Sequence, residues 1–366
     1  MEKQARRSIG SPALEAPPPP LSVVVIGRDE AQNLPACIRS IREMDYPQDR
    51  LEVVYVDTDS TDGSPEVARS LGVTVYEEHS AFPSPGRARN RGWREARCEL
   101  VHFIDGDMTI APGYLREAVR QLGRDSVVCV IGLLDERYER QNLLSRLLHR
   151  DWDGKTPGDV DAPAAGGTFL TRALREVGGY NPEILRAEET DIGLRLRERG
   201  YRIVLIDEVM GVHDYGVRTL AGLFRRFYGS IGYHFGRVLQ LPPSPSLAHE
   251  QRAARRNVVE CAGAVVALVL SVALGWWRAL ALGPLALPLY VAVKYWQPPA
   301  RRRKRIVYFL VEYLGKPAIW AGMVGYWWKR RATGRSAGPV AASDWAGGAP
   351  TGSDIAGEPR GLGPAA

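Results

Sequence analysis

The stretch Leu100-Val-His-Phe-Ile-Asp-Gly-Asp107 constrains this chain more than any other. A run of residues that favour a pleated strand stops at two carboxylates separated by one glycine. In an open sheet of parallel strands, ligands sit beyond the carboxyl ends, which puts Asp105 and Asp107 at a cleft. Ionised carboxylates that close repel one another unless a cation lies among them. A hard divalent ion, Mg2+ or Mn2+, takes one or two carboxylates and completes its shell with phosphate oxygens and water. Gly106 lets the backbone turn both side chains to one centre. Asp-Gly is equally a common turn dipeptide, so the metal reading depends on the remainder of the chain.

That remainder alternates strand and helix patterns. Leu21 to Gly27 is a continuous apolar run, as expected of a parallel strand buried on both faces. A helical pattern follows from Ala31 through Leu34, Cys37, Ile38 and Ile41. Leu51 to Val56 reads as a second strand ending in Asp57-Thr-Asp-Ser-Thr-Asp-Gly63, then a helix over 65–71 and a short strand over 73–76. Ser84-Pro85 has the pattern of an N-cap followed by proline at the first helical position. It opens a helix carrying Arg87, Arg89, Asn90 and Arg91. After the Leu100 strand come a helix over 112–122 and a strand over 127–134. This alternation predicts an α/β domain with a mostly parallel sheet, in which Arg28, Asp57 and Asp105 line one edge.

Beyond residue 134 the pattern loosens. Ala164 to Leu170 is expected to be a strand in which Gly166 and Gly167 allow close approach of a ligand. Glu188-Glu-Thr-Asp191 opens a helix that Gly200 stops. Acidic residues in a first turn suit the helix dipole, which leaves unexplained why three occupy four positions. A strand over 201–206 and then His213-Asp214 close the domain, assigned here to residues 21–215.

The formal charge of +6 on 366 residues is unevenly placed. Basic clusters at 225–226, 252–256, 301–305 and 329–331 mostly flank apolar segments, which points to anionic lipid headgroups. No signature of a nucleic-acid-binding fold is present, so no nucleic-acid partner is expected. Residues 216–240 form a basic amphipathic pattern, read as a helix at a membrane interface or packed on the domain. Val258 to Trp277 and Ala279 to Trp296 each approach the roughly 20 apolar residues that cross a bilayer. Ile306 to Trp328 reads as a third span or a re-entrant segment, interrupted at Lys316-Pro317; together the membrane segments occupy 257–328. Residues 1–20, proline-rich without an apolar core, read as a disordered leader, and 332–366 as a disordered tail. Cys37, Cys98, Cys129 and Cys261 lack disulfide or metal spacing, in keeping with a reducing compartment. These features place the protein in the inner (plasma) membrane, multi-pass, with its catalytic domain cytosolic; the oligomeric state is open.

Six segments then resemble the family 2 glycosyltransferases of GT-A fold, in that family's order: LSVVVIGRDE, VVYVDTDSTDGS, RARNRGW, VHFIDGDM, GGTFLTRALREVGGYNP and AEETDIGLRLRERGY. The resemblance spans about residues 21 to 215. It implies transfer of a sugar from a nucleotide-diphosphate donor to an acceptor hydroxyl, with inversion. On the matching positions it implies that Asp57 binds the nucleoside and that Asp105 sits near the ribose and the metal. Asp107 becomes a metal ligand and Glu189 the general base, with Glu188, Gly166 and Gly167 at the acceptor. Arg28, Glu30, Arg87, Arg89 and Asn90 fall on the donor side, and His213 where some GT-A enzymes supply a further metal ligand. A lipid-linked or envelope polysaccharide acceptor follows from the apolar tail.

The chain departs from that pattern at three places. Ile26-Gly-Arg-Asp-Glu30 stands where the family has Pro-x-Tyr-Asn-Glu, Thr58 replaces a second aspartate, and Glu189 replaces an aspartate. The Gln-x-x-Arg-Trp motif of processive synthases is absent, which implies a single addition. Two alternatives remain open at this point, a nucleotidyltransferase and a non-catalytic membrane scaffold of the same fold. The first lacks a good glycine-rich basic loop, and the second does not account for Asp107 and Glu189 together.

Overall fold

The structure, a computed structural model, describes residues 17–80, 82–136, 156–163, 166–213, 220–273 and 299–332. Its first half follows the sequence pattern closely. β1 (Leu21–Gly27) is buried on both faces, as its unbroken apolar run requires. α1 (Leu34–Arg42) buries Leu34, Cys37, Ile38 and Ile41, the stripe of a helix lying on a sheet. β2 (Leu51–Asp57), α2 (Ser64–Ser70) and β3 (Thr74–Glu77) repeat the unit. α3 (Pro85–Glu95) begins at Ser84, whose Oγ accepts from the Arg87 N–H at 3.3 Å. The helix seats on β1 at Gly92, where a Cβ would come 2.2 Å from Val24 Cγ1.

β4 (Leu100–Asp105) pairs with β1, and β1 with β2, all parallel, so that Gly27 meets Asp57 and Ile26 meets Asp105. The three strand ends therefore share one edge, as expected. Then come β5 (Met108–Ile110), α4 (Tyr114–Gln121), β6 (Val127–Glu136), β7 (Gly158–Asp159), β8 (Gly167–Leu170), α5 (Thr171–Val177), α6 (Glu188–Glu198) and β9 (Arg202–His213). The sheet order is β3-β2-β1-β4-β8-β6-β9-β5, with β7 against β9. One apolar core lies on each face, the first around Ile38, Ile41 and Leu115, the second around Phe103, Phe169 and Leu196. Cys37 and Cys129 are buried in them as small hydrophobes.

The expectation of a mostly parallel sheet needs correction. Among the described residues, four of the eight strand pairings are antiparallel. β8 enters between β4 and β6 in the reverse sense, and β5 runs against β9. β9 is also longer than the strand expected over 201–206. Its pairing with β6 shifts register between Leu205 and Val209, a bulge that holds Asp207 and Glu208 and breaks the apolar run.

The C-terminal segment packs as helices. α7 (Leu220–Arg226) runs through one π turn (Phe227–Gly232) into α8 (Tyr233–Val238). α9 (Ala248–Ala273) and α10 (Pro299–Ala332) follow. The amphipathic stretch thus has a partner: Leu223 and Phe227 pack on Ile319 of α10. Backbones approach closely there, since a Cβ on Gly322 would lie 2.1 Å from Tyr228 O and one on Gly232 2.6 Å from Ile319 O. The interruption expected at Lys316-Pro317 does not occur; α10 runs through Pro317. Among the described residues no helix is long and apolar enough to cross a membrane. The expected first span lies on α9 as far as Ala273, whereas its Trp276-Trp277 end and the second span at 279–296 fall outside the described residues, as do 1–16 of the leader and the tail beyond 332. The leader's last residues are held: the Tyr46 hydroxyl donates to Pro19 O at 2.5 Å.

Candidate active site

A cavity of about 300 Å3 opens at the shared strand edge, lined among others by Arg28, Glu30, Thr58, Ser84, Asp105 and Asp107. Gly106 closes its floor. Its N–H donates to Ile26 O at 2.8 Å, and a Cβ there would lie 3.2 Å from Glu30 Cγ. The cavity carries an excess of negative charge. Burial, with the charges of Asp107 and Asp105 adding to it against a hydrogen bond from Asn33, pushes the Glu30 carboxyl up to about 7. Burial also raises Asp105, with Asp107 adding to it, against the pull of Arg89.

Behind the cavity lies a buried ionic cluster. Arg89, on α3, is 2% exposed. Its guanidinium meets Asp105 Oδ1 at 3.0 Å, Glu188 Oε1 at 2.7 Å and Glu189 Oε1 at 3.8 Å, and lies 5.5 Å from the Tyr180 ring centroid. Burial alone would favour loss of its proton; Asp105, Glu189 and Glu188 outweigh that and raise it. Glu188 and Glu189 open α6 directly after Ala187, which takes the left-handed conformation at φ 62° and turns the helix start toward Arg89. Glu188 is sealed, whereas the Glu189 side chain keeps 23% exposure. Burial and then the Glu188 charge push the Glu189 carboxyl well above the ordinary carboxylate range, against the pull of Arg89. A carboxylate raised in this way, and still reachable, is suited to accept a proton near neutrality.

On the cavity's other side, Asp107 Oδ2 stands 3.2 Å from His213 Nε2. The short β5, paired Met108 to His213, brings them together. A carboxylate and an imidazole, beside Asp105 and Glu30 in a cavity too rich in negative charge, fit a hard divalent cation such as Mn2+ or Mg2+. Among the described residues no three His, Cys, Asp or Glu side chains converge as metal ligands.

Other residues singled out from sequence do different work. Asp57 is buried, accepts from the Tyr55 hydroxyl at 2.9 Å and from the Ser60 N–H at 2.9 Å, and is not on the cavity wall; Thr58 is. Asn90 clamps the Tyr180 backbone, donating to its O at 2.7 Å and accepting from its N–H at 2.8 Å. Arg28 lines the cavity with its side chain 52% exposed. Arg87 meets Glu183 at 2.8 Å. Gly166 and Gly167 serve strand packing: a Cβ on the first would lie 2.7 Å from Phe103 O, and one on the second 3.1 Å from Ile131 Cγ2. Asp105 faces Arg89, which leaves Asp107 as the better placed of the pair for a metal.

Sequence reasoning missed β5, the Tyr180 platform, Ala187 and Glu183. Three residues are too few for a strand period, and nothing in an isolated alanine signals a left-handed turn. Tyr180 had a weak signal in its place beside Gly178-Gly179, both at positive φ.

Comparison with known proteins agrees with this geometry. The glycosyl transferase family 2 model matches residues 22–174, and the glycosyl transferase family group 2 model matches residues 100–296, more than half of the chain. Glycosyltransferase AglE of Haloferax volcanii is 22% identical over 210 residues, covering 53% of this chain and 67% of its own length. The pre-mycofactocin glycosyltransferase of Mycobacterium tuberculosis is 26% identical over 223 residues, 57% of this chain, which spans only about half, 46%, of that relative. Among solved structures, the mannosyltransferase PcManGT of Pyrobaculum calidifontis, in complex with GDP-Man and Mn2+, is 23% identical with a TM-score of 0.52, covering 86% of this chain and 89% of its own. That likeness shares the GT-A-like α/β mixed sheet. With the strand-edge carboxylates and the matched models in agreement, the chain belongs to glycosyl transferase family group 2.

Proposed function

We propose that this protein is an inverting glycosyltransferase that moves one sugar from a nucleoside-diphosphate donor to a hydroxyl of a lipid-linked or envelope polysaccharide acceptor. The observation that carries the reading is Arg89, which ties Asp105 of the donor cavity to Glu189 of the acceptor side through one guanidinium. In a single displacement the acceptor oxygen forms a bond to the anomeric carbon as the bond to the diphosphate breaks. Glu189 takes the acceptor's proton, and the raised affinity of its carboxylate for that proton suits it to the task. Arg28, on the cavity wall, offers a cation to the diphosphate. Asp107 and His213 would hold Mn2+ or Mg2+, whose chemistry is to neutralise charge on the departing diphosphate.

The acceptor and location are read from the C-terminal helices. On α9, Val259, Val265, Val266, Val269 and Val272 are exposed, and on α10, Trp327 and Trp328 stand exposed beside Lys329, Arg330 and Arg331. Exposed valines around a helix and a tryptophan–basic end suit lipid tails and anionic headgroups. These features support an inner-membrane protein with its catalytic domain on the cytosolic side.

The test offers UDP-, GDP- and dTDP-sugars with Mn2+ or Mg2+ and measures released nucleoside diphosphate. Release with one nucleotide class, lost in Asp107→Ala of unchanged fold, supports the reading. Pyrophosphate release instead identifies a nucleotidyltransferase, and silence with every donor overturns catalysis.

A further inference from the structure

The helices that follow the catalytic domain grip the segment carrying the base at both ends. Upstream, Glu183 lies five residues before Glu188, in the loop that leads into α6. One of its carboxylate oxygens meets Arg87 Nη2 at 2.8 Å, and the other pairs with Arg237 of α8. Arg237 also donates through Nε to the Glu183 backbone O at 3.2 Å, and through Nη1 to the Tyr326 hydroxyl of α10 at 3.1 Å. Arg237 and Tyr326 are both buried, so these bonds form away from water, where a missing partner is costly. The Tyr326 ring rests 4.9 Å from that of Phe82, next to Pro83 and Ser84 of the donor cavity wall.

Downstream, Asp191 lies two residues past Glu189. It accepts from the Ser246 hydroxyl at 2.6 Å, and Ser246 stands in the linker between α8 and α9. Asp191 is buried and is held on its other oxygen by Arg195. The grip is therefore double, from two separate pieces of the C-terminal segment on two sides of Glu189.

We infer that Arg237, Tyr326 and Ser246 are positioning residues of the active site, through which the docked C-terminal helices set the placement of the Glu189 helix against the donor cavity. None of the three reaches the cavity itself; each acts through Glu183, Asp191 or the Phe82 loop. On this account the C-terminal segment is part of the catalytic apparatus as well as an anchor. The catalytic part of the inference rests on Glu189 being the base.

The test uses the full-length chain carrying Tyr326→Phe with Ser246→Ala, changes that remove two hydroxyls and keep the packing. Hydrogen exchange is followed by mass spectrometry, and nucleoside-diphosphate release is measured with the same panel of UDP-, GDP- and dTDP-sugars in Mn2+ or Mg2+. Exchange of amides 184–191 is expected to rise several-fold while β1 and β4 keep their protection. With whichever donor turns over, kcat is expected to fall roughly tenfold, with donor KM within about twofold. Arg237→Ala is expected to exceed both effects, and Arg237→Lys to recover part of the loss. Unchanged exchange at 184–191, or faster exchange with undiminished kcat, overturns the inference. If the unaltered protein turns over no donor, the glycosyltransferase reading fails, and the exchange result alone then decides whether the helices hold the Glu189 segment.

Discussion

Arg89 Nη1 stands 2.7 Å from Glu188 Oε1, an ion pair in which both side chains are almost sealed from water. The family resemblance put Arg89 on the donor side. The structure shows a guanidinium occupied on three sides by carboxylates, which makes it a scaffold between the strand-edge cavity and α6. Removing one partner of such a pair leaves buried charge without compensation. Arg89→Met is therefore expected to lower unfolding stability by about 3–5 kcal/mol, read from urea titration. A loss below about 1 kcal/mol would mean that the cluster is solvated after all.

On the proposed mechanism, the raised carboxyl of Glu189 sets the pH dependence of rate. A general base works only when ionised, so turnover falls as pH drops through its elevated value. The acid limb of kcat against pH is expected well above the ordinary glutamate range, and Glu189→Asp is expected to move it. A flat profile from pH 5 to pH 8, spanning about three units, would contradict the assignment.

Glu30 gives a separate pH signal in stability. Its folded value of about 7 exceeds the ordinary 4.5, so the folded chain favours the protonated form. The associated stability is present below the lower value and is lost as pH rises through the upper one. Glu30→Gln removes that loss and is expected to gain about 1–3 kcal/mol near pH 7.5 and little at pH 4, by urea unfolding without divalent ions.

Gly92 fixes how closely α3, and with it Arg89, sits on β1. A methyl group there would meet Val24 Cγ1 at 2.2 Å. Gly92→Ala is expected to cost about 1–3 kcal/mol by thermal unfolding, with Val24→Ala recovering part of it.

The half of the fold built from repeated strand–helix units was legible because each apolar run, cap and strand end is a local signal. Leu21 to Gly27, Ser84-Pro85 and the edge shared by Arg28, Asp57 and Asp105 all stood where the pattern put them. The antiparallel entry of β8 was not legible, since strand direction depends on a connection rather than on composition. His213 was expected beyond a strand over 201–206, yet it ends that strand, whose bulge hides Asp207 and Glu208 from a periodicity argument. At the site, residue types pointed to the strand-edge cavity but not to their partners. Asp57 and Asn90 proved to be satisfied internally, and Glu183 gained its importance only from Arg87 and Arg237, distant in sequence.

The most direct test is Glu189→Gln, which keeps the shape of the side chain and removes its basicity. Nucleoside-diphosphate release and calorimetric binding of UDP or GDP with Mn2+ are measured side by side on the full chain. The account predicts a fall in kcat of about a hundredfold or more, with nucleotide affinity within about twofold. Turnover within about threefold of the unaltered enzyme would contradict it.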